Sequence, residues 1–395
     1  MKLLVVTHNY PRFVGDPAGA FVARLAREAA AAGHAVRVIA PHAPGLARAE
    51  RRDGVDLRRF RYAPERWERI GYTGDLHRRS ALSPIMTLGV PAFLSCFAAA
   101  IARSLREFRP EVVHAHWWFP GGTLAAAVPL PLVVTCHGSD VRLLDRIPPA
   151  RPLARWVFDR AAVVTTVSRF LAEDVRRVAP KVASRLRVAP MPLDVQLFAQ
   201  GLSVAKSQPP RILYAGNLIP SKGVSDLVRA IGILNRRGVK CVLRILGEGP
   251  ELEGLRKLVA MEGLTGLVEV SPFVPQAAMP AEYGAATVTV LPTRGREEGL
   301  GLTLVEALLA GSAVVGTDAG GIPEVAVHGE TGLIARGDDP EDLAQKVGTL
   351  LTDSELRRRL SDEGRRRVAT TFDSRTASRI FLEIYDDVLR SDRPA

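Results

Sequence analysis

Two glutamates, Glu298 and Glu306, stand eight positions apart in TVTVLPTRGREEGLGLTLVEALLAGSAVVGT, residues 287–317. A carboxylate presents two acceptor oxygens, which suits a pair of adjacent hydroxyls on a ribose or a hexose. The valine-rich TVTVL reads as a short buried strand, LTLVEALLAG as an apolar helix ended by glycine, and SAVVGT as the next strand. Gly295, Gly299 and Gly301 in the connecting loop let the backbone approach a ligand closely. The amides that open the helix, those of Leu302 and Thr303, have no partner within it and can hold a phosphate or pyrophosphate. One molecule carrying a diphosphate between two sugars would use all three features. Taken alone, the stretch also reads as a solvated glutamate ahead of an ordinary core helix.

A second element with chemical potential is GNLIPSKG, residues 216–223. It closes one strand and opens a helix, so Lys222 stands at the carboxyl edge of a parallel sheet beside helix-opening amides, a natural phosphate contact or an ordinary surface lysine. It is not G-x-x-x-x-G-K-[ST], which disfavours ATP hydrolysis. In TCHGSD, His137 and Asp140 leave a strand end, and a histidine there can donate to a hydroxyl or phosphate oxygen. His114 and His116 alternate onto one face of EVVHAH; a zinc pair and a packing or acceptor-lining role are both open, with no third ligand at helical spacing. The chain contains no D-x-D, so no metal bridging a diphosphate is expected, and Lys222 with helix-end amides must neutralise the charge. G-x-G-x-x-G, G-x-S-x-G, H-E-x-x-H and C-x-x-C are also missing.

These residues need a scaffold, and the chain alternates strands and helices throughout. KLLVV, a helix from about Ala18 to Gly33, and AVRVIAP form a strand-helix-strand unit with parallel pairing. Strands EVVHAH, LVVTCHGSD, AVVTTVS and RLRVAP follow, with helices near 92–108, 151–160 and 169–178. PMPLDVQLFAQGLSVAKSQPP, residues 190–210, has no clear period and reads as the linker. A second series runs from RILYAG through helices at 223–237, 249–262, 276–285 and 339–351, and the segment 353–391 reads as two closing helices broken near Phe372 and Asp373. Two doubly wound α/β domains facing each other across a cleft is the simplest assembly.

At 395 residues and 47% apolar, the chain is comfortable for two cores. Cys96, Cys136 and Cys241 lack metal spacing and read as reduced thiols of a cytoplasmic protein. The N-terminal MKLLVVTHNYPRF carries only a five-residue apolar run, a first strand rather than a signal peptide. Between Arg79 and Arg103, prolines and glycine interrupt an uncharged run that reads as a buried loop entering a core helix. The net charge of +11 is uneven: residues 1–200 hold 29 basic against 16 acidic groups, residues 201–395 hold 24 against 26. An anionic partner of the first half follows, a membrane surface, a lipid-linked phosphate or a nucleic acid. The other reading is an arginine-biased composition, since only seven of the 53 basic residues are lysine. Aromatics at 6% and no recognition pattern argue against nucleic acid. Residues 48–80, arginine-rich with Tyr62, Trp67 and Tyr72 interleaved, read as a loop or short amphipathic helix at an interface, or as a solvated insert.

Taken together, the chain resembles the family 4 retaining glycosyltransferases of the GT-B fold, over essentially its whole length and in order. The match is most specific in EGLGLTLVE, the family's E-x7-E signature. The resemblance implies that Glu298 contacts the donor sugar's hydroxyls and Glu306 the nucleotide ribose. GNLIPSKG is similar to the family's G-R-x-x-x-x-K-G element, which implies that Lys222 grips the donor diphosphate, with Asn217 standing where an arginine is usual. HGSD resembles H-G-x-D and implies that His137 lies near the transferred sugar. Gly19 occupies the place of the glycine loop that meets the diphosphate, and SPFVP resembles the segment whose backbone reads the nucleobase, near Val274. PMPLD replaces P-N-G-V-D.

The implied domains are 1–195 for acceptor binding, a linker at 196–210, 211–372 for the nucleotide sugar, and a terminal helix at 373–395 crossing back to the first domain. The implied activity is metal-independent, retaining transfer of a hexose from a UDP-sugar to an acceptor hydroxyl, with the donor as substrate and no cofactor. A lipid-linked glycan of exopolysaccharide or cell-wall synthesis, met at the inner membrane face, is the expected acceptor. A nucleotide-sugar 2-epimerase of the same fold and a non-catalytic sugar-nucleotide-binding subunit are the alternatives.

Overall fold

The structure, a computed structural model, describes residues 1–68, 70–72 and 84–391. Parts of the expected interface segment (69 and 73–80), of the uncharged run (81–83) and of the terminal segment (392–395) lie outside the described residues.

The chain divides into two compact units, Met1–Leu193 with Ser374–Ala395, and Asp194–Asp373. In the first, strands β1 (Lys2–Val6), β2 (Ala35–Pro41), β3 (Ala49–Arg52), β4 (Val55–Phe60), β5 (Val112–His116), β6 (Leu132–Cys136), β7 (Val163–Thr166) and β8 (Leu186–Val188) form one sheet in the order β3-β4-β2-β1-β5-β6-β7-β8. Every pairing is parallel except β3 with β4. The order reverses between β1 and β5, which leaves the loops after these strands side by side at their carboxyl ends. Helix α1 (Ala20–Ala31) turns Val22, Leu25, Ala26 and Ala29 into the core, the spacing of one helical face.

In the second unit, β9 (Arg211–Ala215), β10 (Val242–Leu246), β11 (Val268–Ser271), β12 (Val288–Leu291), β13 (Ala313–Thr317) and β14 (Leu333–Ala335) are all parallel, in the order β11-β10-β9-β12-β13-β14. Here the order reverses between β9 and β12, the two strands that carry GNLIPSKG and the glutamate loop. The expected strands and helices of this unit are present, each within a few residues of its expected ends.

The two units divide between Leu193 and Asp194, and the helix Val195–Ala199 groups with the second. Asp194 caps it by accepting from Leu197 N at 3.0 Å, and Phe198 is buried, so a short polar sequence hid a capped, anchored turn. Residues 49–60 are a β-hairpin and not a loop or helix. Asp53 (φ 50°) and Gly54 (φ 79°) take the two positive-φ positions of a tight hairpin turn, a signal that the arginines around it obscured. Much of that local charge is spent internally: Arg59 pairs with Glu50, and Arg37 and Arg58 both pair with Asp56, each at 2.7 Å.

Helix α2 (Pro84–Phe108) begins eight residues before the expected start and contains Pro91. The two closing helices, Ser354–Phe372 and Ser374–Ser391, break at Asp373 as expected. The last groups with the first unit and packs on α1. There it buries Phe381 and Tyr385, and the Tyr385 hydroxyl meets His114 Nδ1 at 2.6 Å. With His114 Nε2 already engaged by Thr135 Oγ1 at 2.7 Å, both ring nitrogens depend on internal partners. Removing one partner strands a buried polar group, so Tyr385→Phe is expected to destabilise the protein by about 1–3 kcal/mol, read from the urea midpoint. An unchanged midpoint would contradict a structural role for this bond.

Candidate functional site

The second unit builds its site from the two loops that flank the reversal of strand order. GNLIPSKG leaves β9. The Tyr214 hydroxyl, at the end of that strand, donates to Asn217 O at 2.8 Å and shapes the loop through its backbone, while Asn217 itself is exposed. A single 3-10 turn, Pro220–Lys222, then delivers Lys222. Gly223 follows at φ 65°, and a Cβ there would sit 2.0 Å from Pro292 O, so only glycine lets this loop lie against the one leaving β12.

The second loop is stitched to the first. Arg294 N donates to Ser221 O at 2.8 Å, and the Arg294 guanidinium pairs with Asp226 at 2.6 Å and Asp338 at 2.9 Å. Lys222 Nζ donates to Glu298 Oε2 at 2.7 Å, with both side chains half-buried. Behind Glu298, the turn after β13 supports the loop: Gly321 N donates to Glu298 O at 3.0 Å, and Gly320 (φ 56°) comes so near that a Cβ would lie 2.0 Å from the same oxygen. Gly301, at φ 90°, caps the helix Leu302–Leu309, which brings the Leu302 and Thr303 amides to the sheet's carboxyl edge. Thr303 Oγ1 donates to Ala215 O at 3.3 Å, tying that helix to the end of β9. Glu306 is half-buried and accepts from the Tyr283 hydroxyl at 2.9 Å. Val274 is half-buried in the loop beyond β11.

Lys222, Glu298, Gly301, Leu302, Thr303 and Glu306 therefore gather around one strand-order reversal, with Asn217 on the same loop as Lys222 and Val274 at the far strand. Arg294 does not replace the arginine missing at position 217, because two carboxylates already hold it. Lys222 is also partnered, by Glu298.

The first unit holds the other two predicted residues. Gly19 (φ 65°) opens α1 with its backbone against Asn9, in the loop after β1. His137 ends β6, and Asp140 organises the turn around it: its carboxylate accepts from His137 N and Gly138 N at 3.0 Å and from Trp118 N at 3.2 Å. Burial raises the Asp140 carboxyl above its ordinary range, and those three donors pull it back. Trp117, at φ 66°, brings its indole within 4.4 Å of both the His137 and His8 rings, centroid to centroid.

His137 Nε2 lies 3.1 Å from His116 Nδ1 and His137 Nδ1 lies 3.1 Å from Met191 Sδ, so both ring nitrogens are engaged inside this unit. Met191 belongs to PMPLD, a departure from the usual pattern that thus touches the histidine itself. Tyr385 and Thr135 take the two His114 nitrogens, and His116 meets His137 through Nδ1. Among the described residues no group of three His, Cys, Asp or Glu could hold a metal ion.

The sequence reading missed Tyr283, Tyr214, Met191 and the glycine pair Gly320–Gly321. Only the last carried a signal, two adjacent glycines directly after a buried strand.

The profile described as Glycosyl transferases group 1 matches residues 201–367, and that described as Glycosyltransferase Family 4 matches residues 18–197. A GDP-mannose-dependent alpha-(1-6)-phosphatidylinositol monomannoside mannosyltransferase of Mycolicibacterium smegmatis is 29% identical over 375 residues, covering 89% of each chain. An N-acetyl-alpha-D-glucosaminyl L-malate synthase of Bacillus anthracis is 28% identical over 316 residues, 77% of this chain and 81% of that one. In structure, a sucrose-phosphate synthase of Thermosynechococcus elongatus superposes with a TM-score of 0.79 at 20% identity, over 99% of this chain and 100% of the other. Anabaena HepE in complex with UDP gives 0.72 at 17% identity, over 98% and 100%.

Burial also sets a pH dependence. It lowers the pKa of His8 to about 4 and of His114 to about 3, from an ordinary 6.5. Below pH 6.5 the unfolded chain takes up protons that the folded chain refuses until about pH 4, so stability falls as pH falls through that window and is level above it. The melting temperature is expected to drop steadily from about pH 6.5 towards pH 4, a range set by the ordinary histidine pKa and the buried one. A flat profile there would contradict neutral buried histidines.

Proposed function

Because this chain belongs to the family 4, group 1 glycosyltransferases and has their GT-B fold, we propose that it moves a hexose from a nucleoside diphosphate sugar to an acceptor hydroxyl with retention at the anomeric carbon. The observation that carries the reading is the Lys222–Glu298 pair between the two loops at the reversal of strand order in the second unit. A cation for the diphosphate and a carboxylate for sugar hydroxyls stand side by side, next to helix-opening amides.

Departure of the leaving group creates an oxocarbenium-like centre and negative charge on the diphosphate. Lys222 and the Leu302 and Thr303 amides stabilise that charge, Glu298 orients the sugar, and Glu306 holds the ribose. No side chain serves as a covalent nucleophile. The leaving phosphate takes the acceptor proton as the acceptor oxygen attacks from the same face. His137 acts as a neutral donor, since burial holds its pKa well below the ordinary value. Uridine is the expected base, in keeping with the UDP bound by HepE; the mycolicibacterial relative is named for GDP-mannose.

The acceptor is a lipid-linked glycan at an anionic membrane surface, as in exopolysaccharide or cell-wall polymer assembly. Phe13 (57% exposed) and Val14 (91%), on the loop after β1, and Trp67 (58%), on the connection after β4, support this. Arg66 stacks on Trp67 at 4.9 Å, an amphipathic pairing suited to a headgroup layer. Among the described residues no helix is long and apolar enough to cross a membrane.

Four measurements test these statements. Glu298→Ala should reduce transfer by at least about 100-fold, the scale of losing a transition-state contact, while UDP or GDP binds as well or better because Lys222 is released. Lys222→Ala should weaken nucleoside diphosphate binding about tenfold, or about 1.4 kcal/mol. A thermal-shift panel of UDP- and GDP-sugars identifies the donor, since a ligand of the folded state raises the melting temperature; full activity in Glu298→Ala would sink the assignment. Sedimentation with phosphatidylglycerol vesicles should weaken with salt and in a Phe13→Asp, Trp67→Asp variant; indifference to lipid charge would remove the membrane reading.

A further inference from the structure

Tyr283 has a role that neither the sequence pattern nor the proposed reaction assigns. It lies on the helix Met279–Ala285, is 1% exposed, and sets its ring 6.3 Å from that of Phe198. Its hydroxyl donates to Glu306 Oε2 at 2.9 Å, across to the helix that opens at Gly301. Burial and the neighbouring carboxylate both drive the phenol's pKa far up, so the group is a permanent donor. Glu306, by contrast, is half-buried on a flexible side chain. A glutamate carboxylate rotates broadly about its last torsion, and gripping two adjacent hydroxyls requires its plane to be set. Here a rigid, fully packed phenol meets that need from a neighbouring helix.

We propose that Tyr283 is a positioning residue whose O–H pins one carboxylate oxygen of Glu306, so that this site discriminates ribonucleoside from 2′-deoxyribonucleoside diphosphates. The inference rests on the ribose role proposed for Glu306. Losing the pin lowers the preference for the 2′-hydroxyl, whereas a merely structural role lowers affinity for both nucleotides alike. The same logic predicts that the phenol ring can be kept and only the hydroxyl removed.

Dissociation constants for UDP, 2′-deoxy-UDP, GDP and 2′-deoxy-GDP are measured by calorimetry on the wild-type chain, Tyr283→Phe, Glu306→Ala, Glu306→Asp and Phe198→Leu. The wild type is expected to favour the ribonucleotide by about tenfold or more, which corresponds to about 1.4 kcal/mol. Tyr283→Phe should reduce that ratio to about threefold or less, a loss of one hydrogen bond's worth of discrimination. Phe198→Leu, which disturbs the same packing without touching the hydroxyl, should preserve the ratio. Glu306→Asp withdraws the carboxylate from Tyr283 with the tyrosine in place and should also lose it, which keeps the test open if Tyr283→Phe does not fold. A wild-type ratio in Tyr283→Phe or Glu306→Asp, or an equal loss for both nucleotides in Tyr283→Phe, overturns the positioning role while the loss of ratio in Glu306→Ala leaves the ribose role standing. A wild-type ratio in Glu306→Ala overturns the ribose role itself, and the positioning role with it.

Discussion

Everything at the proposed donor site depends on one topological constraint, the reversal of strand order between β9 and β12. Parallel strands joined by right-handed crossovers place helices on opposite faces where the order reverses, and the loops beyond the two strands part to leave room for a ligand. In this chain the two loops are then drawn against each other by Arg294 N on Ser221 O and by the Arg294 guanidinium on Asp226. Lys222 and Glu298, 76 positions apart in sequence, meet as a consequence. Glycine is required at Gly223 and Gly320 because backbone carbonyls fill the space a side chain would take.

The Lys222–Glu298 pair has two faces. It keeps a half-buried cation and a half-buried carboxylate from standing alone, which would be costly at low dielectric. In the proposed reaction, binding would exchange one anion for another at Lys222 and release Glu298 towards the sugar. Asn217 is exposed and Arg294 is held by two carboxylates, so the proposed exchange would fall mainly on Lys222.

The first unit spends its polar residues differently. Asp140 shapes the turn carrying His137, and His8, His114, His116 and His137 are all held neutral by burial. The terminal helix, 271 positions from His114 at Tyr385, supplies the partner of one His114 ring nitrogen. Arg52, Arg58 and Arg59 are held in ion pairs within the hairpin, so the composition of residues 48–60 describes a charged sheet edge.

Read without coordinates, the chain already determined its alternating strands and helices, the glycine loops and the carboxylate and lysine that flank them. These are local properties: apolar period, helix-opening amides and glycine punctuation act over a few residues and leave their mark in the order of the letters. The hairpin at Asp53–Gly54 is equally local, and the charge that dominates the composition masks its turn signal. The tertiary structure alone decided which groups meet. Tyr283 reaches Glu306 because neighbouring helices pack, Met191 and His116 occupy His137 because strands pair in register, and the unit boundary falls at Leu193 because Val195–Ala199 buries Phe198. A tyrosine, a methionine and a leucine carry no sequence signal of such roles, since the energy that fixes each comes from a partner tens to hundreds of residues away.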